Sequence, residues 1–102
     1  MGRPYEGPVL TAGRQKLLVE GRVQGVGYRR WAASCALSLG LAGWVRNLPS
    51  GAVEVQARGD TQALQKLKSL LEKGPPASRV SRVTALESPP GGEEKSFSIK
   101  YD

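Results

Sequence analysis

The residues best suited to chemistry lie in a glycine-rich segment, residues 21–30, which holds three glycines in its first seven positions and two arginines at its end. An apolar run before the segment predicts a strand, and the residues after it predict a helix. Glycine allows a tight turn and a close approach of main-chain N–H groups to a ligand. A helix start adds the positive end of the helix dipole. A guanidinium can bind two phosphate oxygens at once. The segment therefore predicts a cradle for a tetrahedral oxyanion such as phosphate.

Three polar side chains are candidates for binding such an anion or for orienting a water molecule beside it. Arg29 and Arg30 both stand at the predicted helix start, and their residue types do not decide between them. Asn47 ends the second predicted strand, and its amide can orient a water molecule because it both donates and accepts hydrogen bonds. Asparagine beside a turn also commonly bonds its own backbone, so a purely structural role for Asn47 is the alternative.

The chain lacks several common kinds of catalytic group. It contains no histidine, which excludes Ser-His-Asp and Cys-His arrangements as well as histidine metal ligands. Its one cysteine, Cys35, falls on the apolar stripe of the first predicted helix and is expected in the core. The carboxylates are scattered, and no short cluster suits magnesium. We therefore expect a site without a metal or a cofactor.

Three segments in register resemble the acylphosphatase family. They are Gly-Arg-Val-Gln-Gly-Val-Gly-Tyr-Arg at residues 21–29, Gly-Trp-Val-Arg-Asn at 43–47 and Gly-Ala-Val-Glu-Val at 51–55. The similarity runs from about Lys16 to Tyr101. It implies a ferredoxin-like domain that hydrolyses the carboxyl–phosphate bond of acyl phosphates. It also selects Arg29 as the catalytic arginine and assigns the attacking water to Asn47.

The resemblance implies a mechanism that suits so sparse a site. A carboxylate leaves without protonation and the phosphoryl group can accept a proton from water, so positioning and charge stabilisation remain the main tasks. Arg29 would bind phosphate oxygens and Asn47 would hold water for in-line attack. The remaining phosphate contacts are expected from the loop amides of Gln24, Gly25, Val26, Gly27 and Tyr28. Gly27 replaces a large residue of some family members, which could loosen the cradle.

Other functions fit the sequence less well. A dinucleotide site would need Gly-x-Gly-x-x-Gly, and a Walker-type loop would end in Gly-Lys-Ser/Thr. A non-catalytic phosphate- or RNA-binding ferredoxin-like module is the main alternative, but the chain lacks the paired strand aromatics of an RNA platform. An acylphosphatase-like module of hydrogenase maturation normally belongs to a much larger chain. Because the sequence ends just after the fifth predicted strand, we expect a stand-alone enzyme.

Chain length, net charge and hydrophobicity indicate the size, partners and location of the protein. The 102 residues suffice for one domain, and the net charge of +6 is spread along the chain. Attraction of a small anionic substrate explains that charge without a specific nucleic acid. The N-terminus lacks the pattern of a signal peptide, and no apolar stretch is long enough for a membrane span. We expect a cytoplasmic monomer, with inorganic phosphate as product and inhibitor and no membrane partner.

The hydrophobic pattern predicts strand–helix–strand–strand–helix–strand. Residues 1–14 are expected to form a flexible tail, and residues 15–102 an acylphosphatase-like domain. Alternation predicts strands at about 16–23, 41–47 and 52–58, and a last strand in two pieces at 80–87 and 97–101 that are separated by a polar loop at 88–94. The short turn between the second and third strands predicts an antiparallel hairpin. Helical spacing predicts helices from Tyr28 to Gly40 and from Asp60 or Thr61 to Gly74. Right-handed crossovers place both helices on one face of an antiparallel sheet, which is the α+β ferredoxin-like sandwich, βαββαβ.

Overall fold

The computed structural model describes residues 12–87 and 94–101. Its elements are β1 (Ala12–Arg22), α1 (Tyr28–Ser38), β2 (Ala42–Asn47), β3 (Val53–Asp60), α2 (Thr61–Lys73), β4 (Arg79–Leu86) and β5 (Phe97–Lys100). Because β1 begins at Ala12, the last three residues of the expected tail belong to this strand. Residues 1–11, and residues 88–93 of the expected polar loop, lie outside the described residues.

The five strands form one sheet in the order β4-β1-β3-β2-β5. β1 lies antiparallel to β3 and β4, and β2 forms the predicted antiparallel hairpin with β3. The ferredoxin-like fold is confirmed, with one difference in the sheet. β4 and β5 are not two pieces of one strand, since they occupy opposite edges, and β5 runs parallel to β2. β3 occupies one side of β2, so the other side is the edge that β5 can join.

Both helices cover the same face of the sheet. Residues from α1, α2 and the strands form one hydrophobic cluster, as expected where two helices share a sheet face. The strand residues that point into it alternate along the chain as predicted: Leu17, Val19, Val45, Val53, Val55 and Ala57. α2 contributes Leu64, Leu67 and Leu71. Burying each large apolar side chain contributes about 1.5–3 kcal/mol, which makes this face the main source of stability.

α1 packs against the sheet through only part of its predicted apolar stripe, which comprises Trp31, Ala32, Cys35 and Leu39. Ala32 and Ala36 are fully buried, whereas Trp31 and Cys35 are only partly buried beside the core. The alanines allow the helix axis to approach the sheet closely, which moves the larger side chains to the sides of the contact. None of the helices within the described ranges has the length and apolarity to cross a bilayer.

The helix-free face of the sheet carries a charged layer. Glu54 lies on this face and is only 6% exposed, because two cations cover its carboxylate. Lys16 Nζ is 3.3 Å from Glu54 Oε2, and Arg46 Nε is 2.7 Å from Oε1. Trp44 is also buried on this face, with the Arg46 guanidinium 5.1 Å and the Lys100 ammonium 4.8 Å from its ring centroid.

Candidate active site

One cleft gathers most of the predicted site residues. Its volume is about 330 Å³, and its walls are Val23, Gly25, Gly27, Tyr28, Arg29, Arg30, Asn47 and Tyr101. It lies where the β1–α1 loop, the start of α1, the end of β2 and the residue after β5 meet. Two predicted loop residues, Gln24 and Val26, do not line it. The volume is at the lower end of the range for small-molecule sites.

The main chain of the loop has the geometry expected of an anion cradle. Gly25 and Gly27 are left-handed, with φ of 75° and 77°, a conformation that favours glycine. Gly27 is the N-cap of α1, and its carbonyl accepts the first helical hydrogen bond from Trp31 N at 3.1 Å. The N–H groups of residues 28–30 therefore have no partner within the helix. No acidic residue stands in the first turn, so these donors and the helix dipole favour an external anion.

Conformation, and not space, is the reason for glycine at position 27. A Cβ built on Gly27 meets no heavy atom within 4 Å, so a larger side chain would fit beside the loop. A non-glycine residue at position 27 would instead be destabilising because of the positive φ, since the left-handed backbone conformation strains such a residue by about 1–2 kcal/mol.

Tyr28 anchors the start of α1 instead of facing the substrate with its hydroxyl. Its Oη donates to the Leu71 carbonyl oxygen of α2 at 2.6 Å, and its ring packs against Trp31 at a centroid distance of 5.6 Å. Burial raises the pKa of the Tyr28 phenol, and the neighbouring Cys35 thiol raises it further. The phenol thus stays protonated and keeps donating. Sequence reasoning assigned Tyr28 only a main-chain role and missed this anchor.

Arg29 and Arg30 both line the cleft, but they are held differently. Arg29 Nη1 donates to the Lys100 carbonyl oxygen at 3.1 Å, and its guanidinium carbon is 4.6 Å from the Tyr101 ring centroid. Arg30 is exposed, and no residue within the described ranges hydrogen bonds or ion-pairs with its side chain. Arg29 is therefore the arginine with a fixed orientation, with donors remaining for a ligand.

The contacts of Arg29 come from a part of the chain that sequence reasoning did not assign to the site. Tyr101 falls within the last predicted strand piece, but it follows β5 and is 74% exposed at the cleft. The parallel pairing of β5 with β2 brings this residue to Arg29, about seventy positions away. No local spacing carries that information, because it depends on which sheet edge β5 joins.

Asn47 lines the cleft wall. It is the last residue of β2 and pairs with Val53 across the hairpin. Its Oδ1 is buried and accepts no hydrogen bond from the described residues. Leaving such an oxygen unpaired costs about 1–3 kcal/mol, so this amide favours any arrangement that supplies it with a donor. The position suits an amide that holds water beside the loop.

Two further expectations concern residues outside the cleft. Cys35 is partly buried against the core, and burial raises the pKa of its thiol, which fits a packing role. Within residues 12–87 and 94–101, no three His, Cys, Asp or Glu side chains are grouped as a metal site. The absence of metal from the reaction stays a prediction.

Comparisons with known proteins agree with the fold and the motifs. A family model for Acylphosphatase matches residues 15–99. An acylphosphatase of Synechococcus sp. (strain WH7803) is 47% identical over 94 residues, covering 92% of this chain and 94% of that protein. The crystal structure of acylphosphatase from Bacillus subtilis has a TM-score of 0.81 at 39% identity, covering 86% of this chain and 98% of that chain. An acylphosphatase structure from Coxiella burnetii has a TM-score of 0.83 at 33% identity, covering 90% of this chain and 96% of that chain.

The matched region contains the whole loop, both further motifs and all of the sheet except the outer ends of β1 and β5. The relatives are similar over almost their full lengths, so the likeness is not confined to the glycine-rich segment. On these grounds, the chain belongs to the acylphosphatase family.

Proposed function

We propose that this protein hydrolyses acyl phosphates to a carboxylate and inorganic phosphate, with water as the nucleophile and no metal. The observation that carries the proposal is the meeting of three features at one cleft: the open N-terminus of α1 behind Gly27, the oriented guanidinium of Arg29, and Asn47, whose Oδ1 has no donor among the described residues. Each feature serves a separate need of phosphoryl transfer.

The loop and Arg29 would hold the phosphoryl group. Main-chain amides of Gln24, Gly25, Val26, Gly27 and Tyr28 are the proposed donors. Arg29 adds a charged fork that can contact two oxygens and offset the charge that spreads over them in the transition state. Its contacts with Lys100 and Tyr101 fix the fork before substrate arrives, so little ordering is needed at the moment of reaction.

Asn47 would hold the attacking water opposite the leaving carboxylate. Its Oδ1 can accept a hydrogen bond from the water without taking a proton, so the water keeps both protons until a phosphoryl oxygen takes one of them. The water oxygen forms the new bond to phosphorus, and the electron pair of the broken P–O bond leaves on the carboxylate. No side chain has to act as a general acid or base in this sequence.

We also propose a monomer in the cytoplasm, inhibited by inorganic phosphate. All proposed site residues come from one chain, so a second copy is not needed to complete the cleft. Inorganic phosphate presents the same tetrahedral oxygens as the substrate and would occupy the same loop. The single cysteine is in keeping with a reducing compartment.

The test is hydrolysis of benzoyl phosphate in the presence of EDTA. The wild-type protein should accelerate hydrolysis strongly over buffer, and added magnesium should not be required. In the same assay, Asn47→Ala should lower kcat by at least about a hundredfold, as for loss of one transition-state contact. Inhibition by phosphate should change little, because the loop and Arg29 remain.

Ser50→Ala is the matched control for Asn47→Ala. Ser50 Oγ accepts a hydrogen bond from Ala52 N at 3.3 Å in the same turn, but Ser50 does not line the cleft. This variant reports what a weakened turn alone does to kcat. No acceleration by the wild-type protein, or activity only with magnesium, would contradict the proposed reaction. A folded Asn47→Ala protein with normal kcat would remove Asn47 from it.

A further inference from the structure

The side chain of Gln24 connects the loop to the β2–β3 turn. Its Nε2 lies 2.9 Å from the Leu48 carbonyl oxygen and 2.8 Å from the Ala52 carbonyl oxygen. Both partners are main-chain acceptors, so the nitrogen and not the oxygen of the Gln24 amide must face them. An amide nitrogen has two protons, and each has an acceptor here.

The two carbonyls stand at the base of the turn that follows Asn47. Leu48 is the next residue after Asn47, and Ala52 precedes Val53, the partner of Asn47 across the hairpin. Leu48 N also donates to the Ala52 carbonyl oxygen at 2.9 Å, which closes the turn. Gln24 therefore contacts both arms of the hairpin within one residue of the Asn47–Val53 pair.

The sheet itself does not make this connection. β1 pairs with β3 only as far as Val19 and Val53, and beyond that point its remaining residues pair with β4 alone. Residues 23–27 thus have no ladder to the hairpin that carries Asn47. The two hydrogen bonds of Gln24 bridge the loop and the hairpin at the place where the cleft lies between them.

We propose that Gln24 is a positioning residue, whose side chain sets the distance between the phosphate-binding loop and Asn47. The proposal rests on the proposed function, in which the loop holds the phosphoryl group and Asn47 holds the attacking water. In-line attack depends on the separation of these two parts, and a misplacement of about 1 Å can cost about a hundredfold in rate. Gln24 thereby acts on kcat through Asn47, without its side chain touching the substrate.

Gln24→Leu tests this role by removing both donors with little change in volume. Its kcat for benzoyl phosphate should fall about 10- to 100-fold, while competitive inhibition by inorganic phosphate should weaken by less than about threefold. Gln65→Leu makes the same chemical change at an exposed position of α2 outside the cleft and should leave kcat unchanged. Denaturation curves show whether each variant is folded at the assay temperature.

A double-mutant cycle separates positioning from general weakening of the fold. In an Asn47→Ala background, Gln24→Leu should change kcat by less than about twofold, because the side chain that Gln24 positions is absent. If the two losses multiply instead, or if Gln24→Leu alone has normal kcat, the proposed role of Gln24 is wrong. If Asn47→Ala itself has normal kcat, Asn47 has no part in the reaction and the proposed role of Gln24 is wrong, whereas the proposed function fails only if the wild-type protein does not accelerate hydrolysis of benzoyl phosphate without a metal.

Gln24→Glu provides a second route if Gln24→Leu does not fold. A carboxylate of the same shape faces two carbonyl oxygens without a proton to donate, whereas a protonated carboxyl can donate to one of them. The ratio of its kcat to that of the wild-type protein should therefore rise as the pH falls through the carboxyl pKa. A ratio that does not change with pH would overturn the proposal.

Discussion

Arg29 and Arg30 are chain neighbours in the same cleft, but the fold restrains only one of them. The Lys100 carbonyl and the Tyr101 ring hold the Arg29 guanidinium, whereas Arg30 is exposed. A flexible cation loses side-chain entropy when it binds an anion, and a restrained one loses less. The difference in restraint favours Arg29 as the phosphate ligand, in agreement with the family motif.

Arg29→Gln should lower kcat/KM for benzoyl phosphate by at least about a thousandfold, because it removes both fork contacts and a positive charge. Arg29→Lys keeps the charge but lacks the planar fork, so its kcat/KM should be intermediate between those of Arg29→Gln and the wild-type protein. Inhibition by inorganic phosphate should weaken along the same series.

Arg30→Gln is the comparison variant for Arg29, since it removes the same group one residue away. Its loss in kcat/KM should stay below about tenfold. If the two Gln variants lose similar activity, or if Arg30→Gln loses more, the assignment of the phosphate ligand to Arg29 is wrong.

Sequence reasoning at the residue scale succeeded where chemistry and local conformation coincide. The left-handed Gly25 and Gly27 follow from the need for a tight strand-to-helix turn, and the place of Asn47 follows from the end of an alternating strand. The restraint of Arg29 by Tyr101 and the bridge from Gln24 did not follow, because both cross between elements that are far apart in the chain.

At the scale of elements, the pairing of β2 with β3 depends on Gly43. A Cβ at this position would lie 1.9 Å from the Gln56 carbonyl oxygen and 3.0 Å from Ala57 Cα, and both are main-chain atoms of β3. The φ of Gly43 is also positive, at 142°. The hairpin that carries Asn47 therefore forms only if this residue has no side chain.

Gly43→Ala should lower the free energy of unfolding by at least about 3 kcal/mol, in the upper part of the range for single substitutions, because the two strands must separate. Gly51→Ala is the matched control, since Gly51 has a positive φ of 100° but open space around it. In that variant only backbone strain should lower the free energy of unfolding, by about 1–2 kcal/mol. Urea denaturation measures both. Equal losses would show that strain, and not the contact with β3, requires glycine at position 43.

Periodicity identified the helices and strands of the described ranges, because most of them pack one apolar face against the core. It left Asp60 and Thr61 as alternative N-caps of α2. The structure has Asp60 as the cap, because its side chain accepts a hydrogen bond from Gln62 N at 2.9 Å. Periodicity did not place β5, because a short strand has the same alternation at either edge. The partner of β5 is set by the free side of β2, which is a property of the assembled sheet.

At the scale of the whole molecule, the net charge of +6 raises the question of nucleic-acid binding. Ferredoxin-like RNA-binding domains stack bases on exposed aromatic rings of the sheet. On the helix-free face of the described sheet, Trp44 is the aromatic residue, and it is 8% exposed between the side chains of Arg46 and Lys100. Those cations cover the ring, so the face attracts phosphates without offering a surface for bases.

The protein should therefore bind a labelled single-stranded RNA only through non-specific phosphate contacts. Fluorescence anisotropy should give no Kd tighter than micromolar near physiological salt, and the weak binding at low salt should fall steeply as salt is added. Folded Trp44→Leu should bind within about twofold of the wild-type protein, because the ring is not available for stacking. The opposite result would be nanomolar, sequence-preferring binding near physiological salt that Trp44→Leu abolishes. It would show that Arg46 and Lys100 move away from the Trp44 ring and that bases stack on it.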